Sequence, residues 1–392
     1  MKKNIPLWLV IFISFFCYSS MLTMFIPLLQ DKLSPLYFAS YSSSYRNILS
    51  GLYLSLYPLG QFLGSPIIGA FSDKFGRKNM LVGSLIMTMI CLLVIAYAIF
   101  IKSLVLLAIG CFVAGLGESN MALVLSAIAD LTTVETRSAE FARAWVMCSL
   151  GYIIGSMFGG VASFIGYIYP FIIEALLVLI TFISVIIFFI DNAQQRSNSS
   201  IKKMLLNFTQ IFHKDNLRPY YFANFISYIA CFGILRVELI YMQEYFQLSQ
   251  LQIAIFYSYA SIVAMGANFL VTPLLLKRLS VRRIVLLAGF AAFLSGIIFI
   301  LPTNKAYLWV TTGLIGFFVP ITVAMIGALI SNVAEVQNQG AVMGNNQSLQ
   351  VLAEAISAVL GGLIFSLSPK IPFIAFTLIG MFSLTIYKRL KH

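Results

Sequence analysis

Two apolar stretches, each long enough to cross a bilayer, follow one another with almost nothing between them. The first runs from Asn47 to Ala70 and the second from Asn79 to Phe100. A hydrocarbon core of ~30 Å takes about 20 apolar residues of helix. A connection this short forces the two helices to be antiparallel neighbours. Similar runs recur along the chain, which is 60% hydrophobic and 10% charged; soluble domains carry about 25% charged residues. In lipid only helices and closed barrels satisfy every backbone polar group. The runs are continuous rather than alternating, which selects helices over a barrel. An all-α polytopic membrane protein is therefore expected. Its spans fall at roughly 5–29, 47–70, 79–100, 104–129, 142–166, 168–190, 218–241, 250–276, 284–301, 306–332, 342–366 and 372–388.

The formal net charge is +12, which would suit a nucleic-acid partner, but its distribution argues otherwise. Lys2, Lys3, Lys74, Arg77, Lys78, Arg137, Arg143, Lys277, Arg278, Arg282, Arg283, Lys388, Arg389 and Lys391 all lie at the termini or in alternate loops. Arg196, Lys202, Lys203, Lys214 and Arg218 fill or border the longest polar break. The opposite loops hold only Lys32, Arg46, Lys102, Lys305 and Lys370. This is the positive-inside bias, and it predicts that both termini and the central break are cytoplasmic. The apolar run after Met1-Lys2-Lys3 is too long for a signal peptide and reads as the first span. The expected location is a bacterial inner (plasma) membrane. No nucleic-acid partner is expected, and a monomer is.

Cysteines 17, 91, 111, 148 and 231 all fall in apolar runs without a C-x-x-C pair, and His213 and His392 are the only histidines. No disulfide, metal site or cofactor is expected. No nucleotide-binding loop or nucleophile–base pair is visible, so neither an enzyme nor ATP-driven transport by this chain is expected.

Residues 191–217 open polar and continue as a basic amphipathic segment, Ile201 to Phe212, suited to the inner membrane surface. They divide the chain into six-span halves, 1–190 and 218–392. The halves carry a weak repeat. Ser126-Ala127-Ile128-Ala129-Asp130 matches Ser331-Asn332-Val333-Ala334-Glu335, and each is followed by a span ending in Gly-Gly, at 159–160 and 361–362. Duplicated halves around a central cavity are the architecture of secondary transporters.

Three motifs carry a family resemblance. Gly69-Ala-Phe-Ser-Asp73-Lys-Phe-Gly76-Arg77-Lys78-Asn-Met-Leu81 resembles the loop between the second and third helices of the major facilitator superfamily. Gly151-Tyr-Ile-Ile-Gly155-Ser156-Met-Phe-Gly159-Gly160 resembles the antiporter motif of that superfamily, with Ser156 where proline is usual. Glycines four residues apart give a smooth face for close helix packing. The run Ala127 to Arg137 looks like the tetracycline-efflux branch of the drug:proton antiporters. The resemblance implies two six-helix bundles and alternating access. It also implies a conformational latch of Gly69, Asp73, Gly76, Arg77 and Lys78 with Asp130 at the inner end of the fourth span. One departure is Cys111, which stands where the antiporters carry a fourth-helix arginine. The proton relay assigned to that arginine does not carry over.

A charge at the centre of a span costs ~2.5–3.5 kcal/mol to insert, so such residues point to function. Glu118 lies mid-way along the fourth span and Glu354 mid-way along the eleventh; Arg236 and Glu238 lie in the outer part of the seventh and Glu174 in the outer third of the sixth. Glu118 is the first candidate for proton coupling and Glu354 the second. Arg236 keeps its charge and needs a carboxylate, water or an anionic substrate. Asn346, Gln350 and Glu354 share one helical face; so do Asn224 with Tyr228, and Ser19 with Thr23. In this superfamily helices 1, 4, 7 and 10 line the cavity. That makes Ser19, Thr23, Glu118, Asn120, Asn224, Tyr228 and Arg236 candidate substrate contacts, and Asn346 and Gln350 of the eleventh span are candidates beside them.

The expected function is secondary transport of a small organic molecule: proton-coupled export of a drug, siderophore or metabolite. The alternative is an importer of a nutrient or an anionic metal chelate such as a siderophore.

Overall fold

The computed structural model describes residues 5–118, 120–132, 134–189, 217–301, 303–334 and 339–390, and among them there is helix but no strand. Before residue 190 lie α1 (Ile5–Gln30), α2 (Ser43–Phe75), α3 (Arg77–Phe100), α4 (Leu104–Gly117), α5 (Asn120–Leu131), α6 (Val134–Val161) and α7 (Tyr169–Phe188). After residue 216 lie α8 (Arg218–Glu244), α9 (Gln250–Gly266), α10 (Thr272–Leu276), α11 (Val281–Phe299), α12 (Leu308–Val333), α13 (Gln339–Phe365) and α14 (Ile371–Arg389). Ten of the described helical runs are long and apolar enough to cross a membrane. The linker expected over 191–217 lies, but for Leu217, outside the described residues.

The basic hairpin is tighter than its sequence suggests. Helix α2 continues through Phe75 and α3 begins at Arg77, so Gly76 alone makes the turn. Its φ of 94° and ψ of 153° lie in a region open essentially to glycine.

The span expected over 104–129 is not one helix. It stops at Gly117 and restarts at Asn120, with Glu118 extended at φ −89° and ψ 90°. Gly115 and Gly117 are weak helix formers, and Gly115 is required by packing. A Cβ there would stand 2.1 Å from the Tyr57 carbonyl oxygen of α2. The Glu118 N–H turns back to the Gly115 carbonyl at 2.9 Å, so the break leaves that donor satisfied. Broken helices at membrane depth are tolerated where they are enclosed by protein or line a cavity.

The span expected over 250–276 is also modified. A π turn, Ala267–Val271, separates α9 from α10. Pro273 follows it and cannot donate a backbone hydrogen bond. The Thr272 hydroxyl donates to the Ala267 carbonyl at 3.1 Å.

Two compact units emerge. The first takes in α1, α2 from Leu56 onward, α3 to α7, and the first turn of α9 through Ile255. The second takes in α2 up to Ser55, α8, the rest of α9, and α10 to α14. Their internal pairings repeat. In the first unit α1 packs on α6 and α7, and α3 packs on α4 and α7. In the second, α8 packs on α13 and α14, and α11 packs on α12 and α14. The eighth helix thus stands to its neighbours as α1 does to its own. Glycines make the closest crossings: in the second unit a Cβ on Gly51 would meet the Ala358 carbonyl at 2.5 Å, and one on Gly362 the Asn47 carbonyl at 2.6 Å.

Candidate functional site

The helix break in the first unit places Glu118 against α1, α2 and α3 at once. Hydroxyls of Tyr57 and Ser14 hydrogen-bond to its carboxyl group. The Asn120 side-chain amide donates to Glu118 Oε2 at 3.3 Å and to Ser14 Oγ at 2.8 Å. The Ser84 hydroxyl donates to Asn120 Oδ1 at 2.6 Å. Tyr18 stacks on Tyr57 with ring centroids 5.1 Å apart. Glu118 is only 8% exposed and Asn120 1%. Beside them is a buried cavity whose polar lining is Ser14, Tyr18, Tyr57, Thr88, Glu118 and Asn120. Cys17 and Val178 also line it. The arrangement can hold a carboxyl in either protonation state: hydroxyls and an amide donate to the anion, and hydroxyls accept from the acid.

Of the expected first-unit contacts, Glu118 and Asn120 are brought together at this cavity. Ser19 and Thr23 are directed elsewhere. The Ser19 hydroxyl contacts the Gly151 carbonyl at 3.2 Å and that of Thr23 contacts the Ser156 carbonyl at 3.3 Å. They belong to the crossing of α1 with α6, which the motif glycines create. A Cβ on Gly155 would lie 2.2 Å from the Phe16 carbonyl, and one on Gly159 would lie 2.3 Å from Thr23 Oγ1. Gly151 meets the Phe12 carbonyl in the same way, and Gly160 meets Ala254 at the start of α9. Cys111, at the position of the antiporter arginine, is fully buried.

The second unit holds two polar groupings. In one, the Asn224 amide donates to Asn346 Oδ1 at 2.8 Å and the Asn346 amide donates to Tyr228 Oη at 2.9 Å. The Tyr387 hydroxyl donates to Asn224 Oδ1 at 2.7 Å. This buried relay ties α8, α13 and α14 together. In the other, Arg236 Nη2 pairs with Glu354 Oε1. Tyr257 lies within electrostatic reach of both members of that pair. The arginine and glutamate side chains are 5% and 12% exposed. Gln350 is half-buried on the face that bears Asn346 and Glu354.

At the hairpin, Arg77 Nη1 donates to Ser72 Oγ at 2.8 Å, and Lys78 Nζ donates to the Ile186 carbonyl at 2.8 Å. The side chains of Asp73 and Asp130, like the surroundings of Gly69, lie outside the described residues, so the expected cluster with Arg77 is a matter for experiment.

Sequence reasoning missed Ser14, Tyr57, Ser84 and Tyr387. Tyr57 is one of 19 tyrosines and carries no mark of its own. Its neighbourhood does: Gly60 and Gly64 repeat the four-residue glycine spacing of α6, and a Cβ on either would stand 2.2 and 2.0 Å from the carbonyls of Phe112 and Leu116. That crossing seats Tyr57 over the break.

The family model described as Major Facilitator Superfamily matches residues 7–312 and 222–391. The chain is 25% identical over 334 residues to Multidrug resistance protein 2 of Bacillus subtilis (strain 168), covering 83% of this chain and 82% of that protein. It is 34% identical over 149 residues to the class B tetracycline resistance protein of Escherichia coli, covering 38% of this chain and 36% of that protein. Among solved structures, that of the human organic anion transporter MFSD10 (TETRAN) superposes with a TM-score of 0.75 at 18% identity, covering 98% of this chain and 99% of that one. That likeness is one of fold.

Proposed function

This chain belongs to the major facilitator superfamily, and from that premise we propose that it exports a small organic molecule in exchange for inward-moving protons. Membership makes it a multi-pass membrane transporter rather than an enzyme. The proposed architecture has twelve crossings in two six-helix halves, 1–190 and 218–392, with both termini cytoplasmic. It adds α2, and α4 with α5 taken together, to the ten apolar runs. The repeated pairings within each unit support this duplication.

The observation that carries the reading is Glu118. It is a carboxyl set in a helix break, beside a cavity, with hydroxyls and an amide as partners. Protonation and deprotonation there would bias two conformations of the fold. The cargo class is taken from relatives named for multidrug and tetracycline resistance. Asn120, Tyr18 and Tyr57 are the proposed contacts in the first unit. Arg236 and Glu354 are proposed as a charged pair in the second that parts as the transporter cycles. Asp73, Arg77 and Asp130 are proposed as the latch of the outward-facing state, with Gly76 fixing their loop.

A second reading rests on the buried cation at Arg236, paired with Glu354. In it the protein imports an anionic cargo, a nutrient or a metal chelate such as a siderophore, which displaces Glu354 from the guanidinium.

Everted membrane vesicles separate the two. With an acid lumen, the exporter accumulates tetracycline or another drug of a test panel, and Glu118→Gln abolishes dependence on the pH gradient while gradient-free exchange continues. Cargo uptake by right-side-out vesicles with an acid exterior would replace this reading with the importer. Gradient-driven flux unchanged in Glu118→Gln would remove Glu118 from the coupling.

A further inference from the structure

A second glutamate in the first unit is buried more deeply than Glu118. Helix α7 has two faces. Ile172, Leu176, Ile180 and Ile183 are exposed, whereas Glu174, Val178, Thr181 and Val185 are buried. Glu174 thus sits on the inward stripe, with 0% of its surface exposed. Neither carboxyl oxygen has a hydrogen-bond partner. Ser20 of α1 is the polar side chain that faces it, but the Ser20 hydroxyl is directed to Met24 Sδ at 3.7 Å.

Among the described residues of α1 and α3, no cation is placed to pair with this carboxyl. Helix α1 contains no Lys, Arg or His. Helix α3, the other helix packed on α7, has Arg77 and Lys78 in its first turn only. Lys78 reaches the Ile186 carbonyl, which lies about 18 Å along α7 from Glu174 at 1.5 Å per residue. The remaining titratable groups on these helices are Cys17 and Tyr18 of α1 and Cys91 and Tyr97 of α3. A buried carboxylate is costly unless a donor or water reaches it, so charge at this position requires water to enter beside Glu174.

The group is also linked to the coupling site. Ser14, Cys17 and Ser20 step along α1, with Ser14 on Glu118 and Ser20 on Glu174. Cys17 lies within electrostatic reach of both carboxyls and lines the cavity. Val178, one turn beyond Glu174, lines it too. So does Thr88, whose buried hydroxyl oxygen has no hydrogen-bond partner. Ser14 and Ser20 are about 9 Å apart along α1 at 1.5 Å per residue, so transfer between the two carboxyls calls for water to bridge them.

We propose that Glu174 is a second proton carrier of the transport cycle, exchanging protons with Glu118 through water in that cavity. In the transfer the O–H bond of the Glu174 carboxyl breaks and a proton passes along water. An O–H bond then forms on the Glu118 carboxylate, and the negative charge moves to Glu174. The reverse step restores it. The inference rests on the proton-coupled reading above and adds to it a storage site on α7.

The test has two arms. Infrared spectra of the full-length protein in lipid, at neutral pH, read protonated carboxyls without any cargo. One such carboxyl band is expected in the wild type and lost in Glu174→Gln; an unchanged band overturns the proposal. In proteoliposomes with tetracycline as probe and a pH-sensitive dye inside, Glu174→Gln should lower gradient-driven transport at least tenfold and leave counterflow within twofold. Glutamine is neutral and of the same shape, so a merely structural glutamate would be replaced without loss. Glu174→Asp, which restores the acid, should recover driven transport with a displaced pH profile. Rescue by Gln but not by Asp overturns the proposal. If Glu118→Gln is uncoupled while Glu174→Gln behaves as wild type, the inference falls and the coupled reading stands. If wild-type transport ignores the gradient altogether, both fall together.

Discussion

The Arg236–Glu354 pair offers a measurement in which the structure fixes both sign and size. Breaking a buried ion pair from one side strands a charge and costs ~3–5 kcal/mol, whereas replacing both partners by apolar groups is often neutral. Glu354 is 12% exposed and Arg236 5%, so some water reaches the carboxylate. That exposure places the expected cost of Glu354→Gln near the low end, about 3 kcal/mol, or roughly a hundredfold in the folding equilibrium. Arg236→Met should cost a similar amount, because it strands the Glu354 carboxylate. The double variant Arg236→Met/Glu354→Leu should return to within about 1 kcal/mol of wild type. Unfolding in mixed micelles of graded detergent composition, run as a double-mutant cycle, gives the coupling energy directly. Single-variant losses below about 1 kcal/mol, or losses that add in the double variant, would refute the reasoning. The same variants bear on cargo. An anion that enters at Arg236 should protect the wild-type protein against unfolding and leave the double variant unaffected.

Four further variants test the backbone geometry. Gly155→Leu should cost about 1–3 kcal/mol through overpacking, since even its Cβ would press on the Phe16 carbonyl. Gly83→Ala, with nothing within 4 Å, should be neutral or slightly stabilising in the same detergent titration. Gly76→Ala should cost about 3 kcal/mol because φ 94° with ψ 153° is nearly closed to other residues. Gly76→Asn should not rescue it, since asparagine tolerates the left-handed helical region and not this one. A Gly76→Ala protein as stable as wild type would mean that α2 and α3 can turn another way.

What was legible in the sequence follows from what lipid demands. Each long apolar run had to become helix, so the element order could be read directly. The Gly76 turn could also be read, because Asp73, Lys74, Arg77 and Lys78 confine the connection to the membrane surface. Less legible was anything decided by a neighbour. Glu118 announced itself as a charge in an apolar run, but its sequence gave no sign that the helix would open there. The break depends on Gly115 yielding to the backbone of α2, a contact between residues far apart in the chain. Ser19 and Thr23 illustrate the converse. Their spacing put them on one face, correctly, yet which helix that face meets was decided by the glycines of α6.

The same logic explains why the buried carboxyls differ in what they can do. A span shows that a charge is present; only its partners decide whether it is held or free to change. Glu354 is held by Arg236, a cation that cannot give up its proton. Glu118 is surrounded by groups that can reverse their hydrogen bonds, and Glu174 is faced by the Ser20 hydroxyl of α1. A carboxyl fixed by arginine suits a contact that must part with conformation. A carboxyl among hydroxyls suits proton exchange with a cavity. The division of labour proposed for this transporter therefore rests on the partners each acid meets, more than on how deep in the membrane each acid lies.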